Sequence, residues 1–431
     1  VAVVAIVVAR HGSGVGRTQE TSATPTSTVS TSPSASGSVE ASPSQSASIR
    51  AASSTPDPQI AEVFSRIEEQ VIRIRGLPRP DIGPADILTR AELEEELMAD
   101  FEKDYTDAER RADNVTLRAM GLLEPDEDVA DLQLALLQGA VLGFYDEDER
   151  RMAVVSDAGL TRDAQETYAH EYTHALQDGA VGLESMRLDV DGDDDGAMAR
   201  LAVVEGDAMI TMYAWSASYL GPDEPVPSAG SGASGDSDPD EAPPVEIPDF
   251  LIESLFFPYT YGTNFMSALH ERGGYEAVNQ ALDDPPESTE QIVHPETYFD
   301  DEQPIEVAIP DLAAELGEGW EQVESTPIGE VTLRITIDQI GANRGSAEAA
   351  AAGWGGDHLV VAAGPDEAFA LAWRLAWDSP ADAAEFATIY RSAAEQLDFP
   401  ARVVELGDGT VLVAHASTAD LVDSVVAIAG G

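Results

Sequence analysis

The chain of 431 residues has no cysteine. Disulfides, thiolate metal ligands and a lipidated cysteine are therefore excluded, and any metal must be held by imidazole and carboxylate groups. Basic residues are scarce. Lysine and arginine together number 23 against 80 aspartates and glutamates, Lys103 is the single lysine, and the formal charge is −57. A field of that sign repels nucleic acid and anionic membranes, which argues against a nucleic-acid partner. Apolar residues are not scarce: at 43% they suffice for an ordinary core, so the acid is laid over a core rather than replacing one.

A long apolar run is also missing. The chain opens on VAVVAIVVA, too short to span a bilayer, so residues 1–10 read as the remnant of a signal or anchor segment. Residues 11–57 form a Ser/Thr/Pro/Ala tract that has nothing to bury and reads as a solvated tether. This order predicts an extracellular or cell-surface protein, with a membrane tether at the N-terminus as one form of it. Asn114-Val115-Thr116 is a glycosylation sequon.

Histidine numbers only 7, yet two lie four residues apart in TRDAQETYAHEYTHALQDG. On a helix, His170 and His174 share one face and can bind one zinc ion. Glu171, beside the first of them, is placed to take a proton from water activated by the same ion. Asp163 and Glu166 have capping-box spacing and Gly179 stands where the helix is expected to stop. The plain alternative is a pair of surface histidines on an amphipathic helix.

A four-coordinate zinc with one water needs a third protein ligand. Glu205 is the best candidate, because it interrupts the apolar helical stretch AMARLAVVEGDAMITMYAWSASY, where an unpaired carboxylate is costly to bury. Gly206 and Ala208 are small enough for close approach to the His helix. Asp207 lies on another face and suits a supporting role, and Asp178 is a candidate to hold the far nitrogen of His174. Negative charge develops on oxygen during amide hydrolysis, so a Tyr or His donor would help. His294 and Tyr261 lead that group, with Tyr259 and His270 behind. Between these segments, Asp189–Gly196 lacks the glycine and glutamate positions of a calcium loop and reads as a solvated acidic loop. Residues 221–247 read as a second acidic loop.

Around the motif, IAEVFSRIEEQVIRIRG, RAELEEELMADFEKDY and DLQLALLQGAVLG have helical spacing, the second opened by a Thr89/Glu92 capping box. Two short strands, 141–145 and 152–155, are expected just before the His helix, where a free edge would let an extended peptide add as a further strand. FLIESLFFPYTYGTNFMSALHERGG is an aromatic-rich helix expected to end at Gly273-Gly274. Residues 58–305 then make a mainly helical catalytic domain. Residues 306–431 read as a small antiparallel α+β domain: VTLRITIDQI, DHLVVAAG and VLVAHA are expected strands, Ser379 or Asp382 caps a helix, and the helices lie on one side. His358 and His415 lack partner ligands and read as structural.

AHEYTHALQDG, VVEGDA, FPYTYG and PPESTEQIVHPETY together resemble a largely uncharacterised family of prokaryotic, often exported, zincin-like proteins. The HExxH motif with a downstream glutamate is similar to that of the gluzincin metallopeptidases. The resemblance implies a zincin-like α+β fold, with His170, His174 and Glu205 as zinc ligands and Glu171 as base. A departure follows Glu205: Met209 stands where thermolysin-like enzymes place an aspartate. The acidic surface resembles that of proteins from salt-loving microbes, where concentrated salt screens self-repulsion. The expected activity is zinc-dependent hydrolysis of a peptide or protein substrate. The rival readings are a surface protein with a closed structural zinc site, His294 being its fourth ligand, and a zinc hydrolase of non-peptide amides.

Overall fold

In the computed structural model, residues 58–155, 160–188, 190, 192–220 and 246–431 are described. The apolar start, the Ser/Thr/Pro tract, most of the 221–247 loop and two residues of the Asp189–Gly196 loop lie outside them. The fold is α+β. Its first part is mainly helical: α1 (Pro58–Arg75), α2 (Arg90–Asp104), α3 (Asp107–Met120) and α4 (Val129–Ala140) precede α5 (Arg162–Val181), α6 (Asp194–Tyr219) and α7 (Asp249–Asp283). The Thr89/Glu92 capping box opens α2 as expected, and Thr106 and Glu109 form a second one on α3. No described helix is long and apolar enough to cross a membrane.

The expected hairpin is present as β2 (Gly143–Asp146) and β3 (Arg151–Val155), with a strand the sequence did not announce, β1 (Asp86–Leu88), pairing parallel to β3. The order β1-β3-β2 leaves β2 at an edge. Helix α7 does not end at Gly273-Gly274. Those two residues break it, Gly274 at φ 63°, and the helix resumes to Asp283. The short helices α8 (Thr289–Val293) and α9 (Pro295–Phe299) follow.

The C-terminal region holds α10 (Leu312–Leu316), a five-stranded sheet and four further helices. The strands β4 (Glu321–Thr326), β5 (Trp354–Ala363), β6 (Phe369–Trp377), β7 (Ala401–Gly407) and β8 (Thr410–Ala416) pair antiparallel in the order β4-β5-β6-β8-β7. VTLRITIDQI is not a strand but helix α11 (Gly329–Gln339). Val331, Leu333, Ile335 and Ile337 are all buried there against α7, α8, α12 (Arg344–Ala351) and β5, so packing overrides the β-branched composition. The helices also cover both faces of the sheet rather than one. Leu359, Val361, Leu371 and Trp373 face the core shared with α11, α12 and α13 (Pro380–Ala393), whereas Val360, Ala362, Ala370 and Ala372 pack on α10 and α14 (Ala419–Ala429). Ser379, the first of the two candidate caps, caps α13.

One apolar cluster runs from Leu88 through the helices of the first part to Val413 of β8. Buried His415 fastens the two regions by donating from Nδ1 to the Ala119 carbonyl at 2.8 Å, and burial holds its pKa down at about 4. It is structural, as expected. Asn114 of the sequon is buried on α3, where its side chain bonds Asp128 at 2.8 Å and the Val129 N–H at 2.9 Å, so it is not presented for glycosylation.

Candidate metal centre

Helix α5 is buried on nearly every side from Ala164 to Gln177, so its polar groups must find partners inside the protein. Its cap is Thr161, which accepts from the Ala164 N–H, rather than Asp163; Gly179 is inside the helix and Gly182, at φ 75°, follows its end. Glu166 instead bonds Arg162 at 3.1 Å and Ser216 at 2.6 Å, tying α5 to α6.

His170 and His174 project from this helix toward Glu205 of α6. Nε2 of His170 lies 3.1 Å from Glu205 Oε2 and 3.0 Å from Nε2 of His174, which is 3.5 Å from the same carboxylate oxygen. Zinc bonds of about 2.0–2.1 Å at a tetrahedral ion set ligand atoms about 3.3–3.4 Å apart, so these separations bracket the required triangle. Among the described residues this is the one group of three or more such side chains able to hold a metal ion. The ligands and Glu171 are 0–4% exposed. Nδ1 of His170 and Oε1 of Glu205 have no hydrogen-bond partner, and Glu171 meets no side-chain donor, only the Tyr145 backbone. Orphaned buried polar atoms are uncommon, and a cation among the three side chains could give Glu205 Oε1 a partner.

The far nitrogen of His174 is held by Gln177, not by Asp178. Gln177 donates from Nε2 to the Val204 carbonyl and to Asp207 Oδ2, each at 2.9 Å. Its Oε1, 2.9 Å from His174 Nδ1, is left to accept. That assigns the proton to Nδ1 and leaves the Nε2 lone pair free to bind an ion. Asp207 is gripped in turn by Arg75, the last residue of α1, at 2.8 and 3.0 Å. Arg75 is itself buried over the Tyr275 ring at 4.9 Å. Asp207 thus takes the supporting role expected of it. Asp178 instead accepts from the Tyr145 hydroxyl at 2.9 Å and fastens β2 to α5.

The electrostatics follow from burial. Desolvation pushes the Glu171 carboxyl up to about 8, and the nearby Glu205 acts in the same direction, against His174 and the Tyr145 backbone. Burial would lower His174, but the Glu205 carboxylate outweighs it and raises the imidazole. Reciprocally, His174 and His170 hold Glu205 down against its own burial. Burial lowers His170. The metal-free site is therefore a buried acid next to an ion pair, poised to exchange its proton for a cation.

Of the proposed donors, Tyr259 is the one beside the site. Its ring stacks on His170 with centroids 6.3 Å apart. Tyr261 stacks on Phe257 at 5.2 Å and hydrogen-bonds Arg344. His294 pairs with Glu330 at 3.2 Å, and the Thr289 side chain of the same α8 segment bonds Asp195, about 15 Å along α6 from Glu205. His270 meets Tyr275 edge-on at 4.8 Å, and His358 bonds Ser325 at 2.9 Å. None of these four joins the ligands. Asp195 also corrects the reading of a solvated acidic loop: it is 3% exposed and receives both the N–H and the hydroxyl of Thr289.

The helix carrying Tyr259 reaches the site because α6 and α7 cross on glycines. A Cβ on Gly206 would lie 2.3 Å from the Gly262 carbonyl oxygen, and one on Gly262 2.1 Å from that of Ala202. Gly206 therefore serves the approach of α7, not of the His helix. Gln177 and Arg75 escaped the sequence reading. A glutamine three residues after the second histidine is a weak signal for the first, and nothing in IRIRG marks the second.

A family model described as Domain of unknown function (DUF8575) matches residues 316–426. That stretch covers the five-stranded sheet and its helices and contains none of the four centre residues. No curated protein and no solved structure matches the chain.

Proposed function

We propose that the protein is a zinc-dependent, zincin-like hydrolase that cleaves peptide bonds, with zinc held by His170, His174 and Glu205. The observation that carries this reading is the triangle of buried candidate ligand atoms beside a buried carboxyl group, Glu171, that no other side chain engages. Bound zinc would supply a Lewis acid that polarises the scissile carbonyl and makes water acidic. Glu171 would take the water proton on its carboxylate and pass it to the departing amine; the positive charge of the ion favours its ionised form. Gln177 keeps His174 in the ligating tautomer, and Tyr259 walls the site beside His170. The outer edge of β2, whose Tyr145 backbone bonds Glu171, would receive an extended peptide as a further strand beside that bond.

A closed structural zinc site is the weaker alternative. It needs a fourth protein ligand, and His294, the candidate, is engaged with Glu330. An apolar cavity with Glu205 in its wall favours a second reading, hydrolysis of a non-peptide amide with an apolar substituent. The exported, N-terminally tethered placement expected from the first 57 residues belongs to the same proposal.

Elemental analysis tests it. Purified protein should carry one zinc per chain, and His170→Ala or His174→Ala should lose most of it, whereas Glu171→Gln should keep the metal and lose hydrolysis of a mixed peptide library. Equal zinc in the wild type and both histidine variants would remove the assignment.

A further inference from the structure

A cavity of about 190 Å³ lies between α6, α7, α3 and the β4–α11 segment. Its wall takes Asp194, Ala197, Leu201 and Glu205 from α6, which recur on one helix face and span about 16 Å of its axis. Facing them, α7 contributes Phe250, Leu251, Leu255, Pro258 and Tyr259, again a single stripe. The cavity is therefore elongated, and it ends at a proposed metal ligand and at the tyrosine stacked on another. It exceeds the roughly 150 Å³ at which an apolar cavity binds a benzene-sized guest. The lining side chains that can carry charge near neutral pH are all carboxylates, Asp113, Asp194, Glu205 and Glu324. A chain with an anionic head would meet repulsion along its length and one with a neutral head would not.

We infer that this cavity binds a linear hydrocarbon chain with an uncharged head, and that such a chain belongs to the substrate cleaved at the adjoining centre. The binding step stands on the cavity alone; only the assignment of the chain to a substrate rests on the zinc reading. The substrate class is then an amide, a peptide bond included, that carries a neutral acyl or alkyl chain, the hydrocarbon running along α6 and the scissile bond at the Glu205 end. Length is set by the cavity, because each added methylene gains burial until the space is filled.

Calorimetric titration of the protein with 1-hexanol, 1-octanol and 1-decanol, beside hexanoate, octanoate and decanoate, tests this. Affinity for the alcohols should rise about fourfold per methylene, and each carboxylate should bind at least tenfold more weakly than its alcohol. Leu201→Trp, which fills the middle of the cavity, should abolish binding. Ala197→Leu, a smaller filling, should shorten the longest chain accepted, so a misfolded tryptophan variant does not leave the question open. No saturable alcohol binding, equal affinity for alcohols and carboxylates, or an unchanged length limit in folded Ala197→Leu protein would each overturn the inference. The chain-length series and the Ala197→Leu limit do not depend on zinc, and the alcohol–carboxylate comparison is read after chelation, because zinc at Glu205 would attract a carboxylate; metal content of the untreated sample then distinguishes a failed metal assignment from a failed cavity assignment.

Discussion

At the scale of single residues, the centre is a chain of obligations that starts at a buried guanidinium and ends at a proposed metal ligand. Arg75 is buried and needs Asp207; Asp207 and the Val204 carbonyl fix the amide of Gln177; the remaining oxygen of Gln177 fixes His174. Each link removes one choice from the next, so the imidazole is delivered in the one tautomer that leaves Nε2 free. Cutting the chain at different points should have different effects. Gln177→Ala frees the ring and should weaken zinc affinity about 10- to 100-fold, with little loss of fold. Asp207→Asn strands a buried guanidinium and should cost about 3–5 kcal/mol of stability. Competition with a zinc chelator measures the first and denaturant unfolding the second. If Gln177→Ala binds zinc as tightly as the wild type, the relay has no part in holding the metal.

At the scale of elements, the closeness of α6 and α7 decides where Tyr259 stands. Gly262→Ala places a methyl group against the Ala202 carbonyl, which is backbone and cannot turn aside. The variant should lose about 1–3 kcal/mol, and the widened crossing should draw Tyr259 from His170 and lower turnover further than zinc content. A thermal melt beside a zinc assay checks both, and unaltered values in both would mean that the helices can separate freely. The same crossing marks the limit of what the sequence discloses. His170, Glu171 and His174 are legible because one helical turn brings them together, and Glu205 because an acid among apolar neighbours in a helix needs a reason. The pairing of FPYTYG with VVEGDA is not legible. The glycines are visible, but which helix they serve depends on a crossing set by tertiary packing, and so the sequence favours Tyr261 over Tyr259. Helix α11 reads as a strand for a similar reason, since its β-branched residues are kept helical by neighbours remote in sequence. His294 drew notice as a rare residue type, yet its partner is Glu330 in α11.

At the scale of the whole molecule, the charge of −57 and a set of buried acids act in the same direction. Burial raises Asp195 to about 7, Asp357 to about 6 and Glu290 to about 8. In the unfolded chain these groups return to about 4. Between those values the folded protein holds protons that the unfolded chain has released, so these acids stabilise the lower end of the window and lose that contribution as pH rises through their folded pKa values, while His415, kept neutral by burial, opposes them as pH falls below about 6.5. Surface repulsion adds to the decline, because it grows as carboxylates ionise. Below about pH 4 the trend reverses, since Glu205 and Asp128 are held low by their partners and lose those contributions when protonated. The melting temperature of zinc-free protein should therefore be higher near pH 5 than near pH 8. Asp195→Asn keeps an acceptor for Thr289 without a titrating group and should flatten the slope. Added KCl separates the two causes. From about 0.1 M to 1 M it should raise the melting temperature at pH 7 by screening repulsion, and raise it less near pH 4, where fewer charges remain. It should leave the difference between the wild type and Asp195→Asn unchanged, because burial rather than repulsion raises that group. A salt dependence as steep at pH 4 as at pH 7 would mean that salt acts through apolar burial and that surface repulsion is a minor force in this protein.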